Sequence, residues 1–99
     1  MSHPPVRLTS AAEKDLREAN RWYQSEAPHV VPRFRRKVAE ALQRIGDNPY
    51  LYAIVQSEVR HALVHGFRYR ILFRIRPDSI QVIAILHEAR NPELWNQRS

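Results

Sequence analysis

Phe67-Arg68-Tyr69-Arg70-Ile71-Leu72-Phe73-Arg74-Ile75-Arg76 alternates almost without a break between apolar and basic side chains. A period of two is the signature of a half-buried strand, so residues 67–76 are expected to be extended. Phe67, Tyr69, Ile71, Phe73 and Ile75 then share one face, and Arg68, Arg70, Leu72, Arg74 and Arg76 share the other. Five arginines and no carboxylate lie between Val59 and Pro77. Like charges two residues apart on one face repel, so neighbouring acids or a bound partner must neutralise them. Two uses of such a face stay open: a charged edge that discourages aggregation, or a surface for a polyanion or an acidic peptide.

Outward from this strand the pattern remains extended. Pro77-Asp78-Ser79 is a turn, and Ile80–His87 is apolar at nearly every position, as a central strand covered on both faces would be. On the other side Val59–Val64 is a further strand, joined through a tight His65-Gly66 turn. The three make an antiparallel meander. Upstream, Val6 and Leu8 mark a short strand, and Ser10-Ala11-Ala12-Glu13 reads as a capping box that starts a helix near Ala11. Ala12, Leu16, Ala19 and Tyr23, with Trp22 beside them, form its apolar stripe, while Lys14, Asp15, Arg17, Glu18 and Arg21 take the other side. Ala27-Pro28 ends it. A second stripe follows at Val31, Phe34, Val38, Ala41, Leu42 and Ile45, with Gly46 as its C-cap and Asp47-Asn48-Pro49 as a stop. The expected fold is therefore α+β: an N-terminal strand, a helical hairpin, then a three-stranded antiparallel meander, in one sheet packed on the two helices.

The chain has 99 residues, 43% of them apolar and 26% charged, which suits one domain over 1–99 with a core of about 5–97. It has no cysteine, which excludes disulfides, thiolate metal sites and cysteine nucleophiles. Its two glycines, Gly46 and Gly66, cannot write a phosphate-cradling loop. No apolar run approaches a membrane span and the N-terminus resembles no signal or transit peptide, so a cytoplasmic location is expected, with no membrane partner. The net charge of +6 is carried by 14 Arg with only Lys14 and Lys37, a composition suited to bidentate contact with phosphates or carboxylates.

His61 and His65 are four apart, but on a strand that spacing is roughly 13 Å, too far to share one ion. No metal or cofactor is expected. His87 ends the last strand, where strand becomes loop and a side chain can meet a substrate without disturbing the core. Cleavage of RNA would need a base, an acid and cations for the developing phosphorane charge, and His87, His61, Arg68, Arg70 and Arg90 are the candidates. The tail 90–98 carries Leu94 and Trp95, too apolar to hang free. Trp95 either folds back on the body or anchors a partner in a groove beside the arginine strand.

The short strand leading into Thr9-Ser10-Ala11-Ala12-Glu13-Lys14-Asp15-Leu16, the hairpin ending at Asn48-Pro49, the strand Phe67-Arg68-Tyr69-Arg70-Ile71-Leu72-Phe73 and the closing Ile83-Ala84-Ile85-Leu86-His87-Glu88-Ala89-Arg90-Asn91-Pro92-Glu93-Leu94-Trp95 together resemble the RelE/ParE superfamily of bacterial type II toxins, the ParE branch above all. The resemblance implies a toxin held in a hetero-oligomer by a cognate antitoxin, through an acidic or amphipathic C-terminal segment. ParE-type members are described as poisons of DNA gyrase, and RelE-type members cut messenger RNA on the ribosome. The two lysines lie outside the sheet, where several such ribonucleases carry a catalytic lysine. That departure favours the gyrase reading, while His87 and Arg90 keep the ribonuclease as the alternative. A non-toxic binding module or corepressor is the third. For contact with antitoxin or target, the resemblance directs attention to Arg68, Arg70, Arg74, Arg76, His87, Arg90 and Trp95.

Overall fold

The computed structural model describes residues 4–89. Arg90 and Trp95, and with them the expectations for the tail, lie outside the described residues. Strand β1 (Val6–Leu8) leads into helix α1 (Ser10–Glu26). A short 3-10 turn at Pro28–Val30 connects it to α2 (Val31–Asp47), and a second at Pro49–Leu51 leads to β2 (Ile54–Gln56), β3 (Val59–Val64), β4 (Tyr69–Ile75) and β5 (Ile80–His87). The sheet runs β1-β5-β4-β3-β2, with β1 parallel to β5 and the other neighbours antiparallel. The α+β expectation holds, with one strand more than the meander anticipated. β2 escaped notice because it is three residues long and joins β3 through an irregular register, Ile54 opposite Arg60 but Gln56 opposite Val59.

The local signals shift by a residue or two, each for a stated reason. The cap of α1 is Thr9 rather than Ser10, its hydroxyl accepting the Ala12 N–H at 3.2 Å. Gly46 is not a C-cap; α2 runs on to Asp47 with Asn48 as its cap. A Cβ on Gly46 would lie 3.2 Å from Val6 Cγ2, so the glycine lets β1 approach the helix closely. The β3–β4 connection is not a two-residue turn either. Val64 pairs with Tyr69, which leaves four residues in the loop, with Gly66 at φ 85° and Arg68 at φ 48°. The longer loop lets Phe67 turn inward, 5.1 Å ring to ring from Phe34 and 5.6 Å from Tyr23.

The main core lies between the helices and one face of the sheet. Ala12, Ala19, Phe34, Val38, Ala41 and Ile45 meet Tyr69, Ile71, Phe73, Ile80, Val82 and Ile85 there. The alternation read from β4 is therefore real: Tyr69, Ile71, Phe73 and Ile75 face the helices, and Leu72 lies on the other side with the arginines. On β5 it breaks. Leu72 pairs with Ala84 and Phe73 with Val82, so Ile83 is an extra residue and the inward parity passes from Ile80 and Val82 to Ile85. Val59, Leu72, Ile83, Ala84 and Leu86 form a second apolar cluster, on the face turned away from the helices.

Candidate functional site

The face of the sheet opposite the helices carries the basic stripe. Arg70 and Arg74 line up on the outward side of β4 about Leu72, Arg76 follows just past its end, and Arg68 leads into it from the loop. Among the described residues, two carboxylates, one at each end, pair with four guanidiniums. Glu88 lies 3.8 Å from Arg68 Nε and 3.5 Å from an Arg70 terminal nitrogen, and Glu58 lies 3.1 Å from Arg76 and 3.9 Å from Arg74. Arg74 also donates through Nε to Gln81 at 3.0 Å. Among the described residues the neutralising acids thus come from just outside the strand. The pairs of Arg68 and Arg76, the most exposed of the four arginines, add little to stability, so these two guanidiniums can turn to a partner at modest cost.

His61 on β3 sits opposite Leu72 on this same face. Among the described residues, its Nδ1 and the Nε of Arg70 are buried atoms with no hydrogen-bond partner. Burial, and then the charge of Arg70, hold the imidazole below its ordinary 6.5, against a smaller upward pull from Glu88. The unfolded chain therefore takes up a proton at this position before the folded one does, and stability is lost as pH falls from about 6.5. Thermal melts are expected to show a lower Tm at about pH 5.5 than at about pH 7.5, and His61→Gln should remove part of that drop. An unchanged pH profile in the variant would show that His61 does not contribute to it.

His87 lies elsewhere. It pairs with Tyr69, whose ring meets it edge-on at 5.2 Å, and its Nδ1 accepts the Ala89 N–H at 3.1 Å. With Asp15, Glu18 and Trp22 of α1 it lines a cleft of about 180 Å³ on the helix side of the sheet. The bulge at Ile83 is the cause. Strict alternation from Ile80 would set His87 among the arginines, and the extra residue turns it to the other side. The sheet thus brings together Arg68, Arg70, Arg74, Arg76 and His61, and separates His87 from them.

Asp15 was not foreseen. Read as a solvent-facing residue of α1, it is buried, and its carboxylate accepts the Ile85 N–H at 3.0 Å. β1 pairs with β5 only as far as Leu8 opposite Val82, with Thr9 N–H donating to Val82 C=O at 3.0 Å. Beyond that point the Asp15 side chain takes the place of a strand. Its spacing from Ala12 and Ala19, three and four residues, lies within the apolar stripe and was the available signal.

Among the described residues, no group of three His, Cys, Asp or Glu side chains could hold a metal ion, and no helix is long and apolar enough to cross a membrane.

The family model described as "ParE toxin of type II toxin-antitoxin system, parDE" matches residues 6–92. The proteins named "Toxin ParE2" from two strains of Mycobacterium tuberculosis are each 30% identical over 88 residues, which is 88% of this chain and 84% of theirs. A solved structure titled "Chromosomal ParDE TA system from P. aeruginosa" superposes with a TM-score of 0.76 at 17% identity, covering 86% of this chain and 96% of that one. At that identity the superposition speaks for the fold.

Proposed function

The chain belongs to the ParE toxin family of type II toxin–antitoxin systems, and from that premise we propose that it arrests DNA replication by binding DNA gyrase in the cytoplasm and is neutralised in a complex with a cognate antitoxin. The observation that favours binding over cleavage is the split of the candidate catalysts. His87 faces α1, whereas Arg68, Arg70 and His61 belong to the opposite side of the sheet. An acid and a base working on one phosphodiester must both reach it within hydrogen-bond distance, and these two imidazoles cannot do so across a sheet. What the outward face offers instead is a row of guanidinium forks over a small apolar cluster, a surface suited to a partner that brings both carboxylates and apolar side chains.

The ribonuclease remains the second reading because His61 Nδ1 and Arg70 Nε share the basic face without partners among the described residues. Induced expression in a bacterial host without antitoxin, with DNA and protein synthesis pulse-labelled separately, decides between them. DNA synthesis is expected to fail first, and purified protein should inhibit supercoiling by gyrase. Translation failing first, with cleaved messages, would assign the ribonuclease. An unaffected culture would leave the binding module or corepressor.

A further inference from the structure

A second basic surface, away from the arginine stripe of β4, runs along the flank of α2 that meets β3. Arg33, Lys37, Glu40 and Arg44 recur at steps of four, three and four, so they share one line down the helix. At its start the Arg33 guanidinium lies 5.1 Å over the Phe67 ring, against the loop that follows β3. Toward its end Arg44 lines a groove of about 310 Å³ with His61 and Leu63 of β3 and His65 just past it, and no described carboxylate lines that groove. Glu40 is taken by Lys37 at 3.4 Å. From Arg33 to Arg44 the line runs roughly 16 Å, long enough to follow a phosphate backbone for more than one step.

The groove leads to an exposed aromatic ring. Leu51 and Tyr52 also line it, and beside them Tyr50 is 69% exposed with the Arg60 guanidinium 5.3 Å above its ring. Arg60 donates to the Tyr52 carbonyl at 2.7 Å, which fixes that guanidinium in place. Among the described residues Arg33, Arg44 and Arg60 have no carboxylate partner, in contrast to the four arginines of the stripe. Free guanidiniums in a line, ending at an open π surface, match a polymer that carries phosphates and flat bases together. A duplex keeps its bases stacked inside, whereas a single strand offers both.

We infer that this trench between α2 and β3 binds single-stranded DNA, its phosphates meeting Arg33, Arg44 and Arg60 and a base stacking on Tyr50. The inference rests on the gyrase reading above and deepens it: the toxin holds the DNA on which that enzyme works as well as the enzyme. It concerns a different surface from the β4 stripe and needs no antitoxin.

The test uses the full chain alone with a labelled oligothymidine of about 12 nucleotides, read by fluorescence anisotropy. Three phosphate contacts predict a loss in affinity of roughly twentyfold between about 50 and 200 mM salt. Arg33→Gln combined with Arg44→Gln should weaken binding by roughly tenfold and reduce that salt slope to about a third. Tyr50→Ala should weaken binding by roughly fivefold or more and leave the slope as it was, a separation that a damaged fold does not produce. Tyr50 and both arginines are exposed, so all the variants should melt within a few degrees of the parent. Arg17→Gln combined with Arg21→Gln, which removes the same charge from α1, should bind within about twofold of the parent. Binding that the trench variants leave unchanged, or polyglutamate of equal charge competing as well as oligothymidine, would overturn the assignment. Supercoiling still inhibited by the parent protein would then keep the gyrase reading intact. Oligouridine or duplex DNA bound roughly tenfold tighter than oligothymidine would give the trench to RNA or to duplex and overturn the occupant proposed. Oligothymidine bound as predicted, with supercoiling unaffected, would support the trench and overturn the gyrase reading.

Discussion

Asp15→Ala is expected to lower the melting temperature by on the order of 10 °C, more than any other single change to a charged residue described above. The reason is geometric. Asp15 is the one buried charged side chain among the described residues, and it reaches from α1 to the backbone of β5, where its carboxylate accepts the Ile85 N–H at 3.0 Å. Alanine leaves that N–H in the core without an acceptor, because β1 has already ended opposite Val82. An orphaned buried donor costs about 1–3 kcal/mol, and in a domain of this size each kcal/mol moves Tm by roughly 4–8 °C. Asp15→Asn is the control. Its amide oxygen can still accept the bond, so it should recover at least half of the loss. Thermal melts at neutral pH measure both, and an alanine variant within about 2 °C of the parent would mean that water or a shifted backbone satisfies Ile85.

The same residue shows where reading a sequence succeeds and where it fails. Alternation along β4 was legible because Tyr69, Ile71, Phe73 and Ile75 answer to one buried face while only Leu72 interrupts the arginines on the other, and that pattern alone located the arginine surface and the face the helices cover. Asp15 sits at helical spacing within the stripe of Ala12 and Ala19, yet its polarity suggested solvent, since a carboxylate belongs in a core only when a particular donor waits for it. That donor, the Ile85 N–H, lies 70 positions along the chain and follows from where β1 stops. His87 illustrates the other limit. Parity along β5 predicts its face only if the strand is regular, and nothing in Ile80-Gln81-Val82-Ile83-Ala84-Ile85 announces an extra residue at Ile83. β2 is beyond both rules, because three residues carry too little periodicity to register. Long-range satisfaction and bulges are tertiary facts, and both of them decide which chemistry the site can perform.

The arginine face offers the other large effect. Arg68→Glu combined with Arg76→Glu should weaken the antitoxin complex by roughly a hundredfold, because it turns two attractive contacts into repulsive ones at opposite ends of the stripe. These two are the better choice because their side chains are 74% and 40% exposed, against 19% for Arg74. The fold should survive. Exposed ion pairs with Glu88 and Glu58 contribute little, so the double variant should melt within a few degrees of the parent. The corresponding glutamine pair, neutral rather than reversed, should fall between parent and double reversal, and the salt dependence of binding should shrink in the same order. Titration calorimetry with the antitoxin, together with colony counts after induction, separates the two uses of the face. Loss of antitoxin affinity with toxicity retained assigns it to neutralisation alone. Loss of toxicity with affinity retained assigns it to the cellular target. Loss of both means that antitoxin and target compete for the same guanidiniums, so that neutralisation is direct occlusion. If affinity and toxicity are both unchanged, the stripe is a solvated face, not the charged edge that the alternation also allowed, because β4 is paired on both sides, by β3 and β5; partner contacts must then be sought on the helix side around His87.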